Sequence, residues 1–169
     1  MNIYDRLKEL GITLPPAPAP GGLYAPVRVV GKLAFVSGAG PAVINGRTFA
    51  GKVGAQVGLE EACEAARLCA VNLLSILEDQ IGLDKVKSAA KILAFVQSAP
   101  GFNDQPQVIN AASQLLNDVF PESGGHARAA IGAAELPGSL PVEIEGILDR
   151  KSTRLNSSHT TRSRMPSSA

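Results

Sequence analysis

The sequence is poor in cysteine, in aromatic residues and in long apolar runs. Its 169 residues include two Cys, no Trp and only 4% aromatic residues. No apolar run approaches the ~20 residues of a membrane-spanning helix. The chain also lacks a basic start followed by an apolar segment, which would mark a signal peptide. We therefore predict a cytoplasmic protein.

The two cysteines do not have the spacing of a disulfide or redox pair. Cys63 and Cys69 lie six residues apart in a segment predicted to be helical. Six helical residues rise by ~9 Å, which is beyond disulfide reach. This favours two small core residues over a redox pair. His126 is the single histidine of residues 1–148, and we therefore expect no metal site.

Charge is distributed unevenly along the chain. Residues 1–148 carry 11 Lys and Arg against 14 Asp and Glu, a net charge of −3. Residues 149–169 carry 5 against 1, a net charge of +4, so the positive charge of the whole chain comes from its end. The acidic remainder argues against broad binding to a phosphate backbone.

Residues 149–169 have a composition unlike the rest. They contain six serines and no aromatic residue, which predicts a disordered segment that buries no face. A basic tail that binds nucleic acid is one interpretation. The segment also resembles the translation of a sequencing adapter, which we favour. In that case the native sequence departs at or just after Leu148, and the tail is excluded from fold reasoning.

The remaining chain has the length and the 45% hydrophobic content of one domain with a substantial core. Residues 1–21 are interpreted as a short amphipathic helix followed by a Pro-rich connector, which serves as a spacer or as a ligand for a Pro-binding domain. Residues 22–148 form the predicted domain. Two strands, at 24–30 and 33–37, flank a turn at Gly31 and Lys32. A further pair is predicted at 42–45 and 47–50.

Two helices are predicted from apolar residues that recur every three or four positions. The first spans 59–81, and its stripe is Ala62, Ala66, Cys69, Leu73 and Ile76. The second begins near Pro106, and its stripe is Val108, Ala112, Leu115 and Val119. A strand at 86–97 separates them. The order of strands, helix, strand, helix and hairpin indicates an α+β fold, with two helices on one face of a mixed sheet.

Residues 126–148 are predicted to form two strands joined by a tight turn at 136–141. Arg128 lies in the first strand, and Glu143 and Glu145 lie in the second. A charge in so apolar a strand is costly unless it is paired, solvated or used on a ligand. If the turn has two residues, Glu143 faces Ala134, on the face that carries Arg128 and ~20 Å along the strand from it. Two side chains so far apart cannot contact one small substrate within one chain.

The ordered pattern of these residues resembles a known family. Ala-Arg at 127–128, a short apolar strand, Leu-Pro at 136–137 and Val-Glu-Ile-Glu at 142–145 are similar to the C-terminal signature of the Rid superfamily. Its members are YjgF-type enamine/imine deaminases, also labelled endoribonuclease L-PSP. The resemblance spans residues 22–148. It implies a chorismate-mutase-like fold and a homotrimer with clefts between subunits, and the N-terminal helix and connector imply a longer subgroup.

The resemblance also implies roles for individual residues. Arg128 matches the arginine that binds the substrate carboxylate, and Glu143 matches the acid that handles water. The matched substrate-binding residues are Tyr24, Ser37, Gly38 and Asn110. Two positions depart from the family pattern, because Ala39 replaces a frequent Gln and Ala130 replaces a frequent Cys.

The function implied is hydrolysis of a reactive enamine or imine, such as 2-aminoacrylate, to a 2-keto acid and ammonia, with no metal or organic cofactor. Two alternatives remain. One is a trimer of the same fold that binds a small carboxylate without turnover. The other is an endoribonuclease, which is less favoured because residues 1–148 are acidic overall, poor in aromatic residues for base stacking and lack a pair of histidines.

Overall fold

The computed structural model describes residues 1–152, and these residues contain three α-helices and five strands. In chain order they are α1 (Ile3–Glu9), β1 (Val27–Val30), β2 (Leu33–Ala39), α2 (Leu59–Ile81), β3 (Val86–Gln97), α3 (Gln105–Val119), β4 (Ala127–Ala133) and β5 (Val142–Arg150). The predicted bounds of α2 and β3 are confirmed. None of these helices is long and apolar enough to cross a membrane.

The five strands form one mixed sheet in the order β1-β2-β5-β3-β4. β3 and β4 are parallel, and the other neighbours are antiparallel. The hairpin predicted between β4 and β5 is therefore wrong, because β3 lies between them. The connection contains a 3₁₀ turn at Pro137–Ser139 in which Gly138 and Ser139 have φ of 64° and 56°. It carries the chain past β3, so that β5 pairs with β2 and β3.

The two long helices cover one face of the sheet, as predicted for this α+β fold. All nine residues of the two predicted stripes are buried, and none is more than 5% exposed. They pack on the sheet residues whose side chains point the same way, which include Ala34, Val36, Ile92, Ala94 and Ile144. The stripe of α3 lies on the one buried side of that helix, whereas α2 is buried on all sides from Leu68 to Leu77.

The predicted strand pair at 42–45 and 47–50 is reduced to a turn. Asn45 and Gly46 have φ of 54° and 73°, as a two-residue hairpin turn requires. Only Ile44 and Arg47 pair across it, as an isolated bridge. The segment does not join the five-stranded sheet, so no other strand of the described chain extends the pairing.

Both ends of the described chain are tied to the domain. Asn2 caps α1 by accepting a hydrogen bond from Asp5 N at 2.9 Å, and Arg6 Nε donates to Asp118 O in α3 at 2.7 Å. At the other end β5 continues through Arg150, whose N–H donates to Lys32 O at 2.8 Å. The predicted domain boundary at Leu148 therefore falls inside a strand. The rest of the predicted tail, residues 153–169, lies outside the described residues.

No helix within residues 1–152 covers the second face of the sheet, and we call it the open face. Strand register places Phe35 beside Ile147, Glu143 beside Phe95, and Phe95 beside Ile131 on this face. Several of its apolar side chains are exposed: Val30 58%, Leu33 38%, Phe35 39% and Ile131 45%. An apolar surface of this kind is typical of a face that meets another protein.

Candidate functional site

The predicted site residues fall into two groups. Tyr24, Ser37, Gly38 and Glu143 line one pocket of about 640 Å³. Arg128 and Asn110 lie elsewhere, on β4 and α3. The pocket is bounded by the end of β2, by β5, by α2 and by the Pro-rich connector. The connector therefore forms part of the pocket wall and does more than join α1 to the sheet.

The pocket centres on an irregularity in β2. The pairing of β2 with β5 shifts register between Val36 and Ala39, so Ser37 and Gly38 bulge out of the ladder. The Glu143 carboxylate lies directly over Gly38, and a Cβ built at position 38 would overlap Glu143 Oε1. Only glycine leaves room for the carboxylate there. Glu143 is half-buried, and no Lys, Arg or His pairs with it among residues 1–152.

Ser37 and Tyr24 hold the segment that closes one side of the pocket. Ser37 Oγ donates to Ala25 O at 2.7 Å, and Ser37 N donates to Pro26 O at 2.9 Å. Tyr24 Oη accepts from Gly21 N at 3.0 Å. The serine hydroxyl therefore uses its proton on the backbone, whereas its lone pairs can still accept. The Tyr24 hydroxyl proton has no acceptor within the described chain, and it can be donated to a ligand.

Sequence reasoning missed two polar residues that shape this region. Asn72 of α2 is 8% exposed, lines the pocket and donates from Nδ2 to Gly40 O at 2.9 Å. Gln97 is fully buried at the end of β3, and its Oε1 accepts from Leu136 N at 2.7 Å. A polar residue inside an apolar run, as for Asn72, or at its end, as for Gln97, was the available signal, because such a group needs a partner when it is buried.

Cys69 packs against β5 near Glu143 but is not equipped for chemistry. It is fully buried, and its Sγ contacts Val142 O at 3.5 Å. Burial raises the pKa of the Cys69 thiol well above its ordinary value, and the nearby Glu143 raises it further. The thiol is neutral near pH 7, so it packs as the small core residue that the helix spacing predicted. Within residues 1–152, no three His, Cys, Asp or Glu side chains cluster as a metal ion would need.

Arg128 lies on the helix-covered side of the sheet, at its β4 edge. Register pairs it with the buried Ile92, and its guanidinium reaches α3. Nη1 donates to Ser113 Oγ at 3.0 Å, and Nη2 donates to Pro106 O at 3.2 Å. Asn110 is exposed and lies one turn from each of these contacts along α3, so it shares the same helix face.

Arg128 and Glu143 are on opposite faces of the sheet, so the predicted common face is wrong. Glu143 pairs with Phe95 on the open face, whereas Arg128 pairs with Ile92 on the other. Their strands are separated by β3, which puts the two backbones about 10 Å apart across the sheet and about 10 Å apart along it. Within one chain the two side chains cannot contact the same small ligand.

Comparison with known proteins agrees with this fold. Residues 4–140 match the family model described as "YjgF/chorismate_mutase-like, putative endoribonuclease". The chain is 39% identical to Protein TCP17 of Trypanosoma cruzi, over 88% of this chain and 94% of that protein. It is 29% identical to a 2-iminobutanoate/2-iminopropanoate deaminase of Dermatophagoides farinae, over 81% and 93%. It also matches the solved structure of the protein Atu1372 from Agrobacterium tumefaciens at 42% identity, with a TM-score of 0.79 and coverage of 88% and 92%. The chain belongs to the Rid superfamily of YjgF-like proteins.

Proposed function

We propose that this protein hydrolyses small enamines and imines of the 2-aminoacrylate type to 2-keto acids and ammonia. The observation that carries the proposal is the Glu143 carboxylate, which has no cationic partner within the described chain and is seated over Gly38 in an open pocket. A free carboxylate in that position suits a group that takes a proton from water. The similarity to a 2-iminobutanoate/2-iminopropanoate deaminase supports the same chemistry.

The proposed active form is a homotrimer with its sites between subunits. Two observations support it: the open face exposes apolar side chains such as Phe35 and Ile131, and Arg128 lies at the opposite edge of the sheet from β1 and β2. A closed ring joins unlike surfaces of successive subunits. It would bring the β4 edge of one subunit to the pocket of the next, so that Arg128 and Glu143 act on one ligand.

In the proposed mechanism Arg128 binds the substrate carboxylate, because a guanidinium offers two parallel N–H donors. The backbone at Gly38 or nearby carbonyls hold the imine nitrogen, and the Tyr24 hydroxyl donates to the ligand. Glu143 takes a proton from water as its oxygen adds to the imine carbon. It gives that proton to nitrogen, which leaves a carbinolamine. Glu143 then takes the carbinolamine hydroxyl proton as the C=O bond forms and passes it to the nitrogen, so the C–N bond breaks and a 2-keto acid and ammonia are released. Imines hydrolyse unaided, so the protein's contribution is orientation.

A second function is carboxylate binding without turnover. The observation that favours it is the Ser37 hydroxyl, whose proton goes to Ala25 O and not into the pocket. Ala39 and Ala130 likewise present no polar group. In this function Arg128 would still bind the carboxylate, but Glu143 would have no role in chemistry.

The test is an assay of ammonia and keto-acid release while a pyridoxal-phosphate enzyme generates 2-aminoacrylate. We expect wild-type protein to accelerate release over buffer, and Glu143→Gln to abolish the acceleration while its affinity for a keto acid persists. If wild-type protein binds the keto acid but does not accelerate its release, hydrolysis is excluded and carboxylate binding without turnover remains. Light scattering on the same samples measures the assembly, and a monomer would contradict the shared site.

A further inference from the structure

Three side chains from different parts of the fold form a chain of hydrogen bonds behind the proposed carboxylate-binding arginine. Arg128 on β4 donates from Nη1 to Ser113 Oγ on α3 at 3.0 Å. Ser113 Oγ in turn lies 3.0 Å from Nε2 of His126, in the segment that leads into β4. Ser113 and His126 are not among the residues matched to the family signature.

The guanidinium fixes the direction of the first of these two bonds. A guanidinium only donates, so Ser113 Oγ accepts from Arg128. Burial lowers the pKa of His126, and the Arg128 guanidinium lowers it further, so the imidazole is neutral near pH 7. The neutral imidazole pairs with the Ser113 hydroxyl through Nε2, which accepts the hydroxyl proton in one tautomer and donates its own proton in the other. Each group in the chain is matched to its neighbour.

These bonds leave Arg128 equipped for a ligand. Its Nη1 and Nη2 each give one proton to the protein, to Ser113 Oγ and to Pro106 O. Of the five N–H donors of a guanidinium, three remain. Two fixed contacts on separate nitrogens define the plane of the group, and a bidentate contact with a carboxylate depends on that plane.

We propose that Ser113 and His126 are positioning residues that set the plane of the Arg128 guanidinium for recognition of a ligand carboxylate. The inference rests on the proposed function, because it assigns Arg128 the carboxylate. His126 orients the Ser113 hydroxyl, and the hydroxyl oxygen holds Nη1 of Arg128. The oriented guanidinium then binds a charged carboxylate in preference to an uncharged group of similar shape. Neither positioning residue touches the ligand.

The experiment measures discrimination rather than affinity alone. Isothermal titration of the full-length protein compares 2-oxobutanoate with its uncharged amide, 2-oxobutanamide. Arg128→Ala should abolish the preference for the acid. Ser113→Ala should reduce that preference by roughly 10-fold, since a misaligned charged hydrogen bond costs about 1.5 kcal/mol. Affinity for the amide should not change. Ser113→Thr keeps a hydroxyl and should keep the preference, and His126→Ala should lower it less than Ser113→Ala does.

Asn117→Ala supplies the matched control, since Asn117 is exposed on the same helix and should behave as wild type. Equal weakening of acid and amide by Ser113→Ala would show a merely structural role and overturn the inference. The inference would also be overturned if Ser113→Ala kept the full preference for the acid while Arg128→Ala lost that preference. That outcome would leave the proposed function unaffected. If Arg128→Ala retains the preference, or wild-type protein binds neither ligand, the proposed function fails and the positioning role fails with it.

Discussion

The Glu143 carboxylate fills the space that a side chain at Gly38 would take. The contact links the bulge in β2 to the strand beside it. It explains why glycine is required at a position whose backbone angles are not left-handed. Glu143 has its present direction only because position 38 carries no Cβ.

Gly38→Ala should therefore displace the Glu143 carboxylate and lower imine hydrolysis. A misplacement of about 1 Å can cost a reaction roughly 100-fold in rate, and we expect kcat to fall by that order. The measurement is keto-acid release under saturating substrate. In a Gly38→Ala/Glu143→Ala double variant the overlap is gone, so its melting temperature should exceed that of Gly38→Ala while activity stays absent. Wild-type activity in Gly38→Ala would contradict the role given to Glu143.

Replacement of Arg128 separates a ligand-binding role from a structural one. If the guanidinium binds a carboxylate, Arg128→Ala should lose keto-acid binding and remain trimeric. Arg128→Lys should do nearly as badly, because an ammonium cannot make the bidentate contact. If Arg128 instead pairs with a buried carboxylate of a neighbouring subunit, its loss should cost about 3–5 kcal/mol. Size-exclusion chromatography would then show a monomer or aggregate.

Gln97 should stabilise the connection between β4 and β5. Its side chain accepts from Leu136 N at 2.7 Å and donates to Ser139 Oγ at 3.3 Å. Gln97→Met keeps the volume but leaves these groups without a partner, which should cost about 1–3 kcal/mol in the free energy of unfolding. Urea denaturation measures the loss. Gln107→Met, at an exposed position of α3, is the control, and equal stability of the two variants would count against the role of Gln97.

His126 should make stability fall in mild acid. Its pKa is lowered in the folded protein, by burial first and then by Arg128. Just below the ordinary histidine pKa of about 6.5, His126 is therefore protonated in the unfolded chain but stays neutral in the folded chain. The contribution of neutral His126 to the free energy of unfolding is therefore complete above that pH. It is lost progressively as the pH falls toward the pKa of His126 in the folded protein. Urea denaturation between pH 7.5 and 5 should show a steeper loss in wild type than in His126→Gln. Parallel curves would refute the expectation.

Local pattern was sufficient for the helices and for β3. In α2 the residues that recur at three and four positions are all buried, and Gly82 ends the helix at φ 84°. These features depend on neighbours within a few residues, so they can be read from the order of amino acids. The family signature was likewise readable, since it depends on the order of Arg128, the Leu-Pro pair and Glu143 along the chain.

Strand partners could not be read in the same way. A period of two tells which residues share a face of a strand, but it does not tell which strand lies alongside. β4 and β5 are close in sequence and were expected to pair, yet β3 lies between them. That difference moved Arg128 and Glu143 to opposite faces. The contacts of Ser113, Gln97 and Asn72 depend on the same long-range packing, which brings together residues 15 to 42 positions apart. The sequence by itself determined the helices, the five strands of the sheet and the chemistry of the site residues. The tertiary structure decided which of them meet, because pairing between strands is a property of the whole sheet.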